Sequence, residues 1–290
     1  MKTDRKTILG LACLAALVIG LGCCWAPTPA LATAAPWNSL DAIDGQTPSP
    51  NSLDGVGAGW ARSEDFDFRY IASTIGDSLT DSEHLQGVFY SRLNDPGFPF
   101  RSIPGPTQVY RHGLPGGETG SILNMVRQQD LGAGEGANFV VIMAGTNDID
   151  YSRGAPLAEL ATAMVANVQA IVDDVLGGNH DPAVRPSVIV SGMPPYLDPD
   201  LTAEAKYYNN LLRTTLKRVD VFTDATWWDL YDPSTGAAAR DLMDDFKHPN
   251  GDGMYRIAEN WFEGVDSLFN PKRFSQDAHI YKMDYYHQLH

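Results

Sequence analysis

Residues 138–148 read Asn-Phe-Val-Val-Ile-Met-Ala-Gly-Thr-Asn-Asp. Asn138 to Ala144 is an almost continuous apolar run, and it has the length of a strand. A strand with one face in water alternates apolar and polar residues, whereas one covered on both faces does not. The run therefore predicts a buried strand of a parallel sheet. It stops at Gly145, and the polar turn Thr146-Asn147-Asp148 follows. Ser187–Ser191 (Ser-Val-Ile-Val-Ser) repeats the pattern downstream. Upstream, Phe68–Ile75 is β-rich and ends at Gly76-Asp77-Ser78. Thr107–Tyr110 and Val219–Phe222 add two shorter strands. Helix-compatible stretches separate them: Asp81–Leu93, Thr119–Leu131 with Thr119 as cap, Pro156–Leu176 with Pro156 in the first turn, Ala203–Arg218 and Gly253–Phe269. Strands and helices alternate, with connections of crossover length. This predicts an α/β fold in which a central, mainly parallel five-stranded sheet has helices on both faces. Functional groups in such folds lie beyond the C-terminal ends of the strands, which is where the Ser78 and Asn147 turns fall.

The N-terminus carries an export signal. Lys2, Arg5 and Lys6 precede an apolar run from Ile8 to Gly22, which is shorter than a bilayer-spanning helix needs. Ala30-Leu31-Ala32 is a small-residue cleavage site. Residues 1–32 are thus predicted to be a signal peptide, and the mature chain to be secreted, extracellular or periplasmic, without a stable membrane span. One alternative is an uncleaved membrane anchor; another, since Gly20-Leu21-Gly22-Cys23 loosely resembles a lipobox, is a lipid anchor at Cys23. The cysteines are Cys13, Cys23 and Cys24, all in or beside this leader, so disulfides, thiol catalysis and Cys-ligated metal are excluded from the mature chain. Residues 33–65, rich in Pro, Gly, Ser, Asn and Asp, read as a flexible linker. The globular domain is predicted over 66–270, and 271–290 form a polar, aromatic tail of no assigned role. The formal net charge of −15 repels phosphate backbones and argues against nucleic acid as a partner.

Three stretches carry chemistry. Ser78 follows a strand at a glycine-containing turn, where its hydroxyl would stand at the top of the sheet. A serine needs a base to become a nucleophile. Asp245-Phe246-Lys247-His248-Pro249 sets a carboxylate three residues before an imidazole, a spacing that lets the carboxylate orient the ring. Pro249 and Gly251 keep His248 on a loop ahead of the last helix. Acyl transfer also needs donors for an oxyanion. The Asn147 amide is one candidate, and the backbone N–H groups of the glycine loop at 113–120 (Gly-Leu-Pro-Gly-Gly-Glu-Thr-Gly) are others, placed at a helix start.

Gly76-Asp77-Ser78-Leu79, the Gly116/Gly117 loop, Gly145-Thr146-Asn147-Asp148 and Asp245-x-x-His248-Pro249 together resemble the four ordered blocks of the SGNH (GDSL) hydrolases, over roughly residues 68–268. The resemblance implies a flavodoxin-like three-layer α/β/α sandwich. It also implies a Ser78–His248–Asp245 triad and an oxyanion hole made by the Ser78 N–H, a glycine N–H and the Asn147 side chain. Aligning on Gly-Gly-Glu-Thr selects Gly117 as that glycine and aligning on Gly-Leu-Pro-Gly selects Gly116; Gly117 is preferred. His112 stands near the start of the second block, where the family commonly has Asn. No metal or organic cofactor is implied.

The expected activity is hydrolysis of a small-molecule or carbohydrate ester, with a short acyl group, through an acyl-enzyme. Lipase or lysophospholipase action and acyl transfer to another acceptor are alternatives with the same chemistry. A glycan-binding domain without turnover is the non-enzymatic one. Other signals point nowhere. Gly132–Gly136 (Gly-Ala-Gly-Glu-Gly) precedes a strand, where a dinucleotide loop must follow one, and reads as a helix-to-strand loop. Asp148 and Asp150 lack a spaced calcium-ligand loop and read as solvated acids. Trp227 and Trp228 would face opposite ways in extended backbone. His84, His112 and His180 read as surface or structural residues.

Overall fold

The computed structural model describes residues 70–94, 107–177, 185–270 and 279–283. The predicted signal peptide (1–32) and linker (33–65) lie outside the described residues, as does His180. A sheet of strand order β2-β1-β3-β4-β5-β8 forms the centre. Its first five members are β1 (Tyr70–Gly76), β2 (Thr107–Gly113), β3 (Phe139–Met143), β4 (Ser187–Ser191) and β5 (Val221–Thr223). All neighbours among them pair in parallel. The order 2-1-3-4-5 is that of a flavodoxin-like doubly wound sheet, with its switch point between β1 and β3.

Among the described residues the sheet is six-stranded rather than five-stranded. The segment read as a tail supplies β8 (Ile280–Lys282), antiparallel to β5. Three residues leave no readable period, and of them only Ile280 is buried. A charged residue such as Lys282 suits an open sheet edge. A further short antiparallel pair, β6 (Tyr231–Asp232) and β7 (Ala237–Ala238), lies apart from the main sheet.

Alternation along the strands divides the core into two layers. Ile75, Val140, Ile142, Val188, Val190 and Phe222 face one side. Ala72, Phe139, Val141, Met143, Ile189 and Val221 face the other. The first face is covered by α2 (Thr119–Gln129), α4 (Leu157–Val175) and α5 (Pro199–Thr215). The second is covered by α1 (Glu83–Asn94) and α7 (Gly251–Phe269), whose Phe89 and Trp261 meet edge to face at 5.6 Å. Helix α4 buries Ala161, Met164, Val165, Val168, Ile171, Val172 and Val175, a three-and-four spacing that lays one stripe on the sheet.

Local chemistry shifts several helix bounds. Helix α5 begins at Pro199 rather than Ala203, because the Asp198 carboxylate accepts from the Asp200 and Leu201 amides and Pro199 occupies the first turn. Helix α7 starts at Gly251, two residues before the predicted Gly253, with Asn250 accepting from Gly253 N–H. Trp227 and Trp228 lie on a short helix, α6 (Ala225–Leu230), not on extended backbone. Trp227 is buried, whereas Trp228 is exposed and stacks on His279. Among the described residues no helix is long and apolar enough to cross a membrane.

At the opposite end of the sheet from the strand C-termini, Arg185 and Asp220 form a fully buried, bidentate pair with contacts of 2.8 and 3.1 Å. Asp220 also accepts from the Val188 amide at 2.8 Å, tying the start of β4 to the residue before β5. Removing one partner leaves the other charge buried without compensation. Asp220→Ala is therefore expected to cost about 3–5 kcal/mol in urea unfolding. A loss below about 1 kcal/mol would mean that the pair does not hold these strands.

Candidate active site

Ser78 sits in the turn that ends β1, half-buried. Gly76 makes the turn possible: a Cβ there would lie 2.1 Å from both Met143 O and Thr80 Oγ1. The adjacent Asp77 is buried, accepts from the Leu79 amide at 3.0 Å, and has its carbonyl bonded by Asp81 N–H. Burial pushes the Asp77 carboxyl up, and the Leu79 amide and the nearby Thr146 act against that shift.

His248 arrives from the other end of the chain. Its loop is pinned at both sides: Met243 and Pro249 form a bridge, Asp244 N–H donates to His248 O, and Asn250 bonds Leu242 O and Asp241 O. His248 Nε2 lies 3.1 Å from Ser78 Oγ, and Nδ1 lies 2.7 Å from Asp245 Oδ2. The other carboxylate oxygen accepts from the Lys247 and His248 amides at 2.8 and 2.7 Å. Partial burial pushes the Asp245 carboxyl up, but the His248 ring and these two amides outweigh it and hold the group at about 2. An ionised Asp245 accepts the Nδ1 proton, which assigns the Nε2 lone pair to the serine. A hydroxyl, an imidazole and a carboxylate thus stand in series, an arrangement able to take a proton from Ser78 as it attacks a carbonyl.

The β3 turn depends on Gly145, at φ +124, where a Cβ would strike Met164, Met193 and Tyr208 within 3 Å. The expected turn at 146–148 is the start of a short helix, α3 (Thr146–Tyr151). Tyr196 and Tyr208 brace it through their hydroxyls, on Thr146 O at 2.6 Å and Ala144 O at 3.0 Å. Asn147 is buried, and its Nδ2 donates to Gly117 O at 3.1 Å. Asn147 and Gly117 are therefore brought together. The Gly117 N–H, however, donates to Leu114 O at 2.8 Å. With Pro115 and left-handed Gly116 (φ +73) between them, this is a type II turn. Leu114 N–H in turn bonds Gly76 O, so the loop leans on the Ser78 turn.

Several expectations change here. Thr119 does not cap its helix; it is the first helical residue, and its amide and hydroxyl both donate to Asp148, at 2.8 and 2.7 Å. Asp148 is accordingly buried, not solvated, because α3 turns it inward. Asp150 is not a free loop acid either, since it accepts from Lys247 Nζ at 2.9 Å. His112 is structural, paired with Glu135 at 2.5 Å. Glu135 belongs to the 3₁₀ turn at Gly132–Glu135 that leads toward β3, in keeping with a helix-to-strand loop. Lys247 is the residue that sequence reasoning passed over. Its Nζ also reaches Asn147 Oδ1 at 2.9 Å, across 100 positions of chain, and no local pattern signals such a contact.

The family model of the GDSL-like Lipase/Acylhydrolase family matches residues 74–256. Among curated proteins none matches the sequence. Solved structures give similar folds at low identity. One is an acetyl xylan esterase variant from Geobacillus stearothermophilus, with 16% identity and a TM-score of 0.49, over 68% of this chain and 94% of that one. Another is an aryl esterase from M. smegmatis, with 17% identity and a TM-score of 0.48, over 68% and 99%.

Burial raises the Asp148 carboxyl from 3.8 to about 6, against the bonds from Thr119 and with a further push from Glu118. The folded chain then binds this proton more tightly than the unfolded chain does. The resulting stabilisation is complete below about pH 4 and falls away as pH rises to about 6, by at most about 3 kcal/mol. Asp148→Asn keeps an acceptor for the Thr119 amide and removes the titration. In urea melts, wild type is expected to lose about 2 kcal/mol relative to the variant between about pH 4 and pH 7.5. A difference that stays flat over this range would show that Asp148 does not titrate there.

Proposed function

Because the chain belongs to the GDSL-like lipase/acylhydrolase family, a family of serine ester hydrolases, we propose that it cleaves small esters with Ser78 as nucleophile. The observation that carries this reading is the contact of Ser78 Oγ with His248 Nε2, backed by Asp245 on the far ring nitrogen. His248 takes the Ser78 proton as the hydroxyl attacks the ester carbonyl. The ionised Asp245 holds the ring and stabilises its positive charge. The proton then passes to the leaving alcohol, and water attacks the acyl-enzyme with His248 again as base.

The oxyanion of each tetrahedral intermediate is held by the Ser78 N–H and Asn147 Nδ2, with the glycine loop as third donor. Gly117 N–H already bonds Leu114 O, so Asn147 carries the larger share. The turn must loosen before Gly117 joins, and Gly116 is the other donor that this loop offers.

The substrate is a short acyl ester of a carbohydrate or other small alcohol. Exposed Tyr151 and Phe246 support this, since both rings flank Lys247 beside Asn147 and offer flat surfaces to a sugar or aryl leaving group. The basic, apolar and small-residue pattern of residues 1–32 supports export with cleavage after Ala32, or anchoring at Cys23.

A fluorophosphonate is expected to label wild type at Ser78 and to leave Ser78→Ala unlabelled, the latter folded but without turnover of nitrophenyl acetate. Asn147→Ala is expected to lower kcat by about 10²–10³, or about 2.7–4 kcal/mol in the barrier. Absence of labelling on the folded wild type would favour a binding domain over an enzyme. A strong preference for long-chain nitrophenyl esters would replace the carbohydrate reading with a lipase one. A loss well below tenfold in Asn147→Ala would take that amide out of the oxyanion hole.

A further inference from the structure

Lys247 lies between the two groups that define the proposed chemistry. Its neighbour in sequence is His248, and its ammonium reaches Asn147, the proposed oxyanion donor. Nζ makes two 2.9 Å contacts, to Asn147 Oδ1 and to Asp150 Oδ2. The Lys247 and Asp150 side chains are only 11% and 13% exposed. The rings of Tyr151 and Phe246 lie 5.2 and 5.7 Å from the ammonium and shield it further. Arg153 also bonds Asp150, at 3.2 Å, and so helps to balance the carboxylate.

An ammonium has donors and no acceptor. The Asn147 atom facing Lys247 must therefore be the carbonyl oxygen, which fixes the amide flip and turns Nδ2 toward the glycine loop. Nδ2 has two hydrogens, and Gly117 O takes one. The other remains for a substrate oxygen. A cation on the amide oxygen also withdraws electron density from the nitrogen, so that its N–H becomes a stronger donor. The Lys247 backbone amide is itself held by Asp245 Oδ1, so one short loop sets both the base and the oxyanion donor.

We infer that Lys247 is a positioning residue of the oxyanion hole, whose ammonium, anchored by Asp150, orients and polarises the Asn147 amide. The inference rests on the reading of Asn147 as oxyanion donor. Lys247 touches no reacting atom. Its effect should appear in the transition state, where charge develops on the oxygen, and little in substrate binding.

The test is a double-mutant cycle with nitrophenyl acetate. Lys247→Met keeps most of the aliphatic stem and removes the charge. It is expected to lower kcat roughly tenfold with KM within about twofold, the scale of coupling for contacting residues. In an Asn147→Ala background the same change is expected to lower the residual kcat by less than about twofold, because the amide through which it acts is gone. Equal losses in both backgrounds would overturn the inference and assign the effect to the neighbouring His248. So would a Lys247→Met enzyme with wild-type kcat. If circular dichroism shows Lys247→Met to be unfolded, Asp150→Asn is read in the same cycle, with a smaller loss that again needs Asn147 and is overturned on the same terms. The two levels of the account fail separately. A wild type that neither labels nor turns over ester removes the ester-hydrolysis reading and this inference with it. A wild type that labels normally, with additive Lys247 and Asn147 effects, removes this inference alone.

Discussion

The hydrogen bond between the Ser78 hydroxyl and the His248 ring joins positions 170 residues apart, and the geometry of the site follows from how that gap is closed. Neither residue is special where it stands in the chain. Ser78 is delivered by the C-terminal end of β1, and His248 by a loop clamped between the Met243–Pro249 bridge and the start of α7. Both elements are held by the same sheet, and α7 packs across its second face. The contact therefore exists because the two core layers are filled. Loosening the sheet under either turn would separate hydroxyl and imidazole by more than a hydrogen bond tolerates.

Three turns converge at that end of the sheet, and each relies on a glycine, two of them where a side chain cannot fit and one where the backbone is left-handed. Gly76 lets the ends of β1 and β3 approach, Gly145 takes a left-handed φ under Tyr208, and Gly116 turns the loop that leans on Gly76. Buried polar groups then lock the turns together. Asp148 takes both donors of Thr119, and Asn147 spans Gly117 and Lys247. Water is largely excluded from these bonds, which makes them strong when satisfied and costly when broken. The raised carboxyls of Asp77 and Asp148 show that cost.

The layered architecture was readable because β3 and β4 are continuous apolar runs, and burial on both faces leaves no other pattern. The four motif blocks were readable because each is a local string ending a strand or opening a helix. What could not be read depends on distance. The edge strand at Ile280–Lys282 is too short to show a period and exists only through pairing with β5. Asp148 and Asp150 look like solvated acids in a polar stretch, and only the inward turn of α3 and the arrival of Lys247 from 97 positions away give them partners. The glycine loop shows its composition but not which amide is free, because that depends on a single hydrogen bond from Gly117 to Leu114.

The most direct measurement is a crystal structure of the protein after reaction with a small phosphonate ester, whose tetrahedral phosphorus mimics the acyl intermediate. The account requires phosphorus bonded to Ser78 Oγ, the phosphoryl oxygen about 2.7–3.1 Å from Asn147 Nδ2, and Lys247 Nζ still seated on Asn147 Oδ1. A phosphoryl oxygen turned to solvent, or an adduct on another residue, would contradict it.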